Sequence, residues 1–132
     1  MAKGKIRWGL LSTARINERQ IPAMRSVERS ELVAVASRSK QKAQAYADQW
    51  QIPLAYGSYE QLLADPDVDA VYISLPNTLH CQWAIKTAEA GKHILCEKPM
   101  ALTPEDVDRM GEAATRHGVI IHEAIMMRFH AQ

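Results

Sequence analysis

Short apolar runs alternate with helix signals along this chain, and that alternation restricts its possible folds more than any other feature. The apolar runs have the length and composition of buried strands. They lie at 5–11, 31–37, 53–56, 70–75, 92–97 and 119–122. The run at 31–37 is almost continuously apolar, which is typical of a parallel strand that is covered on both faces.

The segments between these runs carry helix signals. The first predicted helix runs to about residue 26 and becomes regular only near Gln20, because Pro22 disfavours regular helix around it. Ser39, Ser58 and Thr103 are good N-caps for later helices. Apolar side chains at helical spacing predict the buried faces: Ala43, Tyr46, Ala47 and Trp50 in the second helix; Cys81, Ala84, Ile85 and Ala88 in a helix over 78–90; Val107, Met110 and Ala114 in the last.

Strictly alternating strands and helices with short loops predict a parallel sheet with right-handed crossovers. We therefore expect an α/β, doubly wound sheet of about six strands with helices on both faces. Residues 1–122 form this domain in our prediction, and residues 123–132 begin a connection to a second domain.

Composition excludes several classes of function. The chain has 16 Lys and Arg against 15 Asp and Glu, so it lacks the basic field that holds nucleic acid or an anionic membrane. The five histidines show no ligand spacing, so we expect no metal site. Two cysteines, Cys81 and Cys96, fall on predicted buried faces and are expected to be reduced thiols in a cytoplasmic protein.

The loop after the first strand occupies the place of the dinucleotide fingerprint G-x-G-x-x-G. Its three glycine positions hold Ser12, Ala14 and Asn17. Small side chains let backbone N–H groups approach a pyrophosphate at a helix N-terminus. The loop alone is equally consistent with a plain strand-to-helix turn.

Basic residues follow the second strand, where an NAD-binding protein usually has an acid for the ribose 2′-hydroxyl. Here the sequence is Ser37-Arg38-Ser39, and Lys42 lies one helical turn after Arg38. A guanidinium can bind a 2′-phosphate through charge-assisted hydrogen bonds. These residues favour NADP, with NAD the less favoured cofactor; the alternative is a solvated first helical turn.

Two further loops follow strands four and five. Pro76 and Asn77 end strand four, and Asn77 is also a good cap for the next helix. Strand five ends in Glu97, Lys98 and Pro99. Because a parallel sheet brings the carboxyl ends of its strands to one edge, all four loops are expected to border one cleft.

Five segments together resemble the N-terminal half of the Gfo/Idh/MocA family (glucose–fructose oxidoreductase, inositol dehydrogenase and MocA). They are 8–16, 35–38, 74–80, 90–99 and 123–130. The run from Gly91-Lys92-His93 to Glu97-Lys98-Pro99 is the most specific of them. The Ser-Thr-Ala loop is similar to that of NADP-dependent xylose and dihydrodiol dehydrogenases of this family, whereas more usual members carry glycine at positions 12 and 14.

The resemblance implies a Rossmann domain with a dinucleotide in the cleft, and it implies a role for each loop. The residues implied at the pyrophosphate are Ser12, Thr13, Ala14, Arg15 and Ile16, and those at the 2′-phosphate are Ser37 and Arg38. The residues implied near the nicotinamide ribose are Leu75, Pro76, Asn77 and His80. Glu97 is implied beside the nicotinamide ring. Lys98 is implied as the catalytic lysine, preceding a cis peptide bond to Pro99. It would take the proton of the reacting hydroxyl, with a pKa lowered by burial and by the positive nicotinamide.

Relatives of this kind continue into a substrate domain, so we expect that domain to be missing here. The sequence leaves three functions open. The first is an isolated NADP(H)-binding domain of a sugar, polyol or dihydrodiol dehydrogenase without turnover. The second is a module that self-associates, as a dimer, through the surface left by the missing domain. The third is a small complete oxidoreductase whose cleft is finished by another chain.

Overall fold

A computed structural model describes residues 4–124. Six strands form one parallel sheet in the order β3-β2-β1-β4-β5-β6. The strands are β1 (Ile6–Leu11), β2 (Ser30–Ala36), β3 (Leu54–Tyr56), β4 (Ala70–Ile73), β5 (His93–Glu97) and β6 (Ile121–Ala124). The helices are α1 (Asn17–Ser26), α2 (Lys40–Trp50), α3 (Tyr59–Leu63), α4 (His80–Glu89) and α5 (Pro104–His117). The doubly wound prediction is therefore confirmed.

Helices cover both faces of the sheet and create two cores. On one face α1 and α2 bury Ile21, Met24 and Ala47 against the sheet. On the other face α3, α4 and α5 bury a larger set that includes Leu62, Trp83 and Met110. The chain leaves β1 in one direction to make β2 and β3, then returns to place β4 on the other side of β1. Strand order reverses there, and a crevice opens at the carboxyl ends of such strands.

Capping agrees with the sequence at three helix starts. The side chains of Ser39, Ser58 and Thr103 each accept a hydrogen bond from a backbone N–H in the first turn of their helix. Gly118 ends α5 with φ of 69°, in the left-handed region that glycine adopts without strain.

Some predicted boundaries are wrong. Regular helix begins at Asn17, earlier than the predicted position near Gln20. Pro22 is the sixth residue of α1 and lacks the N–H that would bond to the carbonyl oxygen of Glu18, and α1 continues past it to Ser26 without that bond. The last strand is Ile121–Ala124 rather than 119–122, since Gly118 ends α5 and the chain joins β5 only afterwards. Asn77 does not cap α4; a 3-10 turn, Asn77–Leu79, intervenes, and no side chain caps either start.

The inner faces of the helices are also partly mispredicted. Cys81 and Ile85 are only half-buried, and Val107 is exposed. In α4 the buried residues include His80, Trp83 and Thr87. Polar side chains can lie there because they are satisfied locally: Thr87 Oγ1, for example, donates to the carbonyl oxygen of Trp83 at 2.7 Å.

Candidate functional site

The candidate loops meet at one edge of the sheet. They follow β1, β2, β4 and β5, whose carboxyl ends all lie at that edge. The loops after β1 and β4 flank the point where strand order reverses. The loop after β2 lies on one side of it and Lys98 on the other.

Ser12 takes the place of the first glycine of the fingerprint, and its backbone has glycine-like geometry. Its φ is 109°, a value that side chains seldom allow. The hydroxyl is buried and lies 2.7 Å from the hydroxyl of Ser74, which follows β4. It also accepts a hydrogen bond from the N–H of Ala14 at 3.2 Å. The side chain is therefore directed into the structure and leaves the crevice side of the loop open.

The rest of this loop presents backbone donors at the start of α1. Within residues 4–124 the N–H groups of Thr13, Arg15 and Ile16 have no hydrogen-bond acceptor. Asn17, which is fully buried, donates from Nδ2 to the carbonyl oxygen of Ser12 at 2.9 Å. Three free N–H groups at the N-terminus of a helix form an arrangement that suits an anion.

Arg38 projects from the end of β2 beside an open cavity. The cavity has a volume of about 380 Å³ and is bordered by the start of α3 and the start of α4, including Tyr59, Leu79 and Trp83. Burial raises the pKa of Tyr59, and the nearby charge of Arg38 opposes that rise. Glu60 also borders the cavity, but its carboxylate lies 3.9 Å from the ammonium of Lys86.

The neighbours of Arg38 divide into a buried and an exposed group. Ser37 is buried, and its hydroxyl accepts a hydrogen bond from the N–H of Ser39 at 3.2 Å, so it shapes the turn. Lys42 and Arg38 are both exposed and are available to an anion outside the turn.

The loop after β4 separates its predicted site residues. Leu75 is buried, whereas Pro76 and Asn77 are exposed at the crevice. His80 is only 1% exposed, and both of its ring nitrogens are engaged. Nδ1 lies 2.9 Å from the carbonyl oxygen of Pro99, and Nε2 lies 2.7 Å from that of Leu75. The ring thus has no free nitrogen for a ligand, although we expected it near a ribose.

Glu97 and Lys98 end β5 in different environments. The Glu97 carboxylate accepts a hydrogen bond from the hydroxyl of Tyr72 at 2.6 Å. Burial, and then this carboxylate, raise the pKa of Tyr72. Lys98 is exposed and precedes a cis peptide bond to Pro99. The burial that we expected around the lysine is therefore not provided by residues 4–124.

Two residues at this edge were missed from the sequence. Ser74 binds the hydroxyl of Ser12 and is a polar residue in an otherwise apolar run, which is a usable signal. Glu123 accepts a hydrogen bond from the N–H of Met100 at 2.7 Å. The sequence evidence for Glu123 was weaker, because an acid at the end of the last strand is equally common in a solvated turn.

The described residues contain neither a cluster suited to a metal ion nor a helix suited to a membrane. Between residues 4 and 124 no group of three or more His, Cys, Asp or Glu side chains is arranged to hold a metal ion. No helix in the same part of the chain has the length and apolar character required to cross a membrane.

Comparison with known proteins identifies the family. The profile of the Gfo/Idh/MocA oxidoreductase family, NAD-binding Rossmann fold, matches residues 6–125. This chain belongs to that family. An uncharacterized oxidoreductase of Rhizobium meliloti is 51% identical over 128 residues, which are 96% of this chain and 38% of that protein. The D-xylose 1-dehydrogenase (NADP(+)) 2 of Haloferax volcanii is 46% identical over 93% of this chain and 38% of its own length.

Solved structures of the family have the same architecture. The 3-ketoreductase KijD10 from Actinomadura kijaniata, in complex with NADP and TDP-benzene, superimposes with a TM-score of 0.91 and 34% identity over 98% of this chain and 40% of its own. The WlbA dehydrogenase from Bordetella pertussis, in complex with NADH and UDP-GlcNAcA, superimposes with a TM-score of 0.84 and 34% identity over 91% of this chain and 37% of its own. This Gfo/Idh/MocA chain thus spans about 38% of the length of the curated relatives it matches.

Proposed function

We propose that this chain is the NADP(H)-binding part of an oxidoreductase that moves a hydride between a sugar, polyol or dihydrodiol carbon and nicotinamide. The observation that carries the proposal is the convergence of four loops at the switch point of the sheet, with Arg38 at the end of β2. Relatives support the substrate class: they include the Haloferax xylose dehydrogenase and a trans-1,2-dihydrobenzene-1,2-diol dehydrogenase of Danio rerio, 39% identical over 94% of this chain.

The residues present fit a phosphorylated dinucleotide. The free N–H groups of Thr13, Arg15 and Ile16 would bind the pyrophosphate, because they lie at the start of a ten-residue helix and have no acceptor within residues 4–124. Arg38, helped by Lys42, would bind the 2′-phosphate. NADH is bound by the related WlbA, so the choice between the two cofactors depends on these two cations.

The remaining site residues at this edge of the sheet would contact the nicotinamide half of the cofactor. When bound, NADP⁺ supplies a hydride acceptor at C4 of its nicotinamide. Pro76 and Asn77, both exposed, would contact the adjoining ribose, and Glu97 would border the ring. Lys98 would hydrogen-bond the reacting hydroxyl and take its proton. Its exposure leaves it accessible to a substrate.

Turnover by the 132-residue chain alone is not expected. The chain spans 38% of the length of its relatives, which supports the proposal that most substrate contacts belong to a further domain. We therefore propose cofactor binding without catalysis for the isolated chain. NADP-dependent oxidation of xylose by this chain, abolished by Lys98→Ala, would contradict that and favour a cleft completed by another copy.

A calorimetric titration with NADP⁺ and NAD⁺ tests the proposed function. Hydrogen bonds to charged groups contribute about 1.5–3 kcal/mol, so Arg38→Ala should weaken NADP⁺ binding by about 10- to 100-fold and leave NAD⁺ binding nearly unchanged. Arg29→Ala is the matched control, because Arg29 is an exposed arginine just before the opposite end of β2. Equal loss with both variants, or no binding of either cofactor at millimolar concentration, would refute the proposal.

The open part of one sheet face favours a second function, self-association. Beside α1 and α2, a cavity of about 440 Å³ is lined by the starts of β1, β4, β5 and β6, including Trp8, Leu95 and Ile120. Ile120 is 61% exposed. We propose that in the isolated chain a second copy covers this face, since an exposed apolar patch favours association.

The cysteines support a cytoplasmic location, which we also propose. Cys81 and Cys96 are both free thiols. Cys96 is buried, and desolvation, reinforced by the Glu123 and Glu97 carboxylates, raises its pKa to about 12. Free thiols persist in a reducing compartment.

A further inference from the structure

One peptide group next to Lys98 is held from both sides by side chains of other elements. It is the group that joins Pro99 to Met100. Its carbonyl oxygen lies 2.9 Å from Nδ1 of His80, the first residue of α4. Its N–H donates to a carboxylate oxygen of Glu123, in β6, at 2.7 Å. The two side chains therefore tie the loop after β5 to the elements on either side of it.

The second contact of His80 fixes the direction of its ring. Nε2 lies 2.7 Å from the carbonyl oxygen of Leu75, so both ring nitrogens face carbonyl oxygens. The ring therefore lies between the loop after β4 and the loop after β5, in a site that is 1% exposed.

The Glu123 side of the clamp is a charge-assisted hydrogen bond. Its carboxylate accepts from the Met100 N–H at 2.7 Å, and a hydrogen bond to an ionised acceptor is stronger than one between neutral groups.

We propose that His80 and Glu123 together fix the backbone that carries Lys98. The side chain of Lys98 makes no hydrogen bond or ion pair within the described part of the chain, so its direction depends on its backbone. Both residues are positioning residues, and their catalytic relevance rests on the proposed function. Their effect on the loop does not depend on it.

Nuclear magnetic resonance of the cofactor-free, ¹⁵N-labelled chain tests the histidine side of the clamp. His80→Gln removes the ring that spans the two carbonyl oxygens, so the backbone amide signal of Lys98 should shift and the Met100 amide should exchange with solvent about tenfold faster. An unchanged Lys98 signal and an unchanged Met100 exchange rate in the folded variant would overturn the proposal.

Glu123→Gln tests the other side of the clamp and avoids any loss of folding caused by removing His80. The amide oxygen can still accept from Met100 but carries no charge. We expect the Lys98 backbone amide signal to shift and the Met100 amide to exchange with solvent about tenfold faster. Glu105→Gln, an exposed acid in the first turn of α5, is the control and should change neither. An unchanged Lys98 signal and unchanged exchange in Glu123→Gln would refute the clamp, whatever the outcome of the cofactor titrations.

Discussion

Ser12 combines a backbone conformation that suits glycine with a side chain that glycine lacks. A φ of 109° in a residue with a Cβ stores strain of about 1–3 kcal/mol. Its hydroxyl offsets part of that strain through Ala14 and Ser74. The sequence placed Ser12 at the first glycine position of the fingerprint, where a small residue is needed. It could not predict the Ser74 partner, which lies 62 positions away along the chain.

Substitution of Ser12 separates the two effects. Ser12→Ala keeps the strain and removes both hydrogen bonds, so the free energy of unfolding should fall by about 1–3 kcal/mol. Ser12→Gly loses the same bonds but relieves the strain, so it should be more stable than the alanine variant by about 1 kcal/mol. Urea unfolding of the three proteins measures both differences. An alanine variant as stable as the glycine variant would contradict the strained geometry.

At the scale of elements, α3 packs so closely on β1 that a side chain at Gly9 is excluded. A Cβ there would lie 2.9 Å from Cδ2 of Leu62 and 3.3 Å from Cγ1 of Val68. Leu62 is fully buried and has little room to move. The sequence alone could not identify what excludes a side chain at Gly9, because that depends on the packing of a five-residue helix.

Gly9→Ala should lower the free energy of unfolding by about 1–3 kcal/mol, the usual cost of overpacking a core. Gly111→Ala is the control, because a Cβ at that position in α5 meets no atom within 4 Å. That variant should instead gain about 0.5–1 kcal/mol from helix propensity. Chemical unfolding measures the stability of both variants. Equal stability would show that β1 and α3 are not in close contact.

The turn between α3 and β4 is fixed by buried charged groups. The Asp65 carboxylate accepts hydrogen bonds from the Tyr56 hydroxyl at 2.6 Å and from the Asp67 N–H at 2.8 Å. From the other side Lys92 donates to the carbonyl oxygens of Asp65 and Val68, each at 2.7 Å. Lys92 belongs to the most family-specific segment of the sequence, and its described contacts are structural.

Because of the charged groups in and beside this turn, we expect the folded chain to lose stability in acid. The Tyr56 hydroxyl lowers the pKa of Asp65, and Arg7 lowers that of Asp69. A lowered folded-state pKa gives stabilisation that is complete above the unfolded value, near 4, and is lost as pH falls through the folded value. Asp65→Asn should therefore lose less stability between pH 7 and pH 3 than the unmodified chain, with a residual slope from Asp69. Urea unfolding across that range would show identical slopes if Asp65 were not involved.

For the whole molecule, the alternation of apolar runs with helix signals was sufficient to predict the sheet, the parallel direction of its strands and the common edge of the loops. It could not predict that α4 buries His80 and Thr87 while leaving Cys81 half-exposed, because apolar spacing does not show which carbonyl oxygens satisfy the two buried polar side chains. Helical periodicity measures apolar content and assigns no partner to a polar side chain.

The proposed self-association through the open sheet face belongs to the scale of the whole molecule. Ile120→Lys places a charge on that face and should shift the isolated chain from dimer to monomer in analytical ultracentrifugation. Val27→Lys, also at an exposed apolar residue (51% exposed) but outside the lining of that cavity, should leave the dimer intact. A monomer at every concentration of the unmodified chain would exclude the association.

The central claim is that a phosphorylated dinucleotide binds at the carboxyl edge of the sheet. Backbone amide spectra of the ¹⁵N-labelled chain, recorded during titration with NADP⁺, locate the contact directly. The account predicts shifts at the N–H groups of Thr13, Arg15, Ile16 and Arg38, with Ile120 on the open face unchanged. Shifts confined to the open face, or no shifts at millimolar NADP⁺, would contradict it.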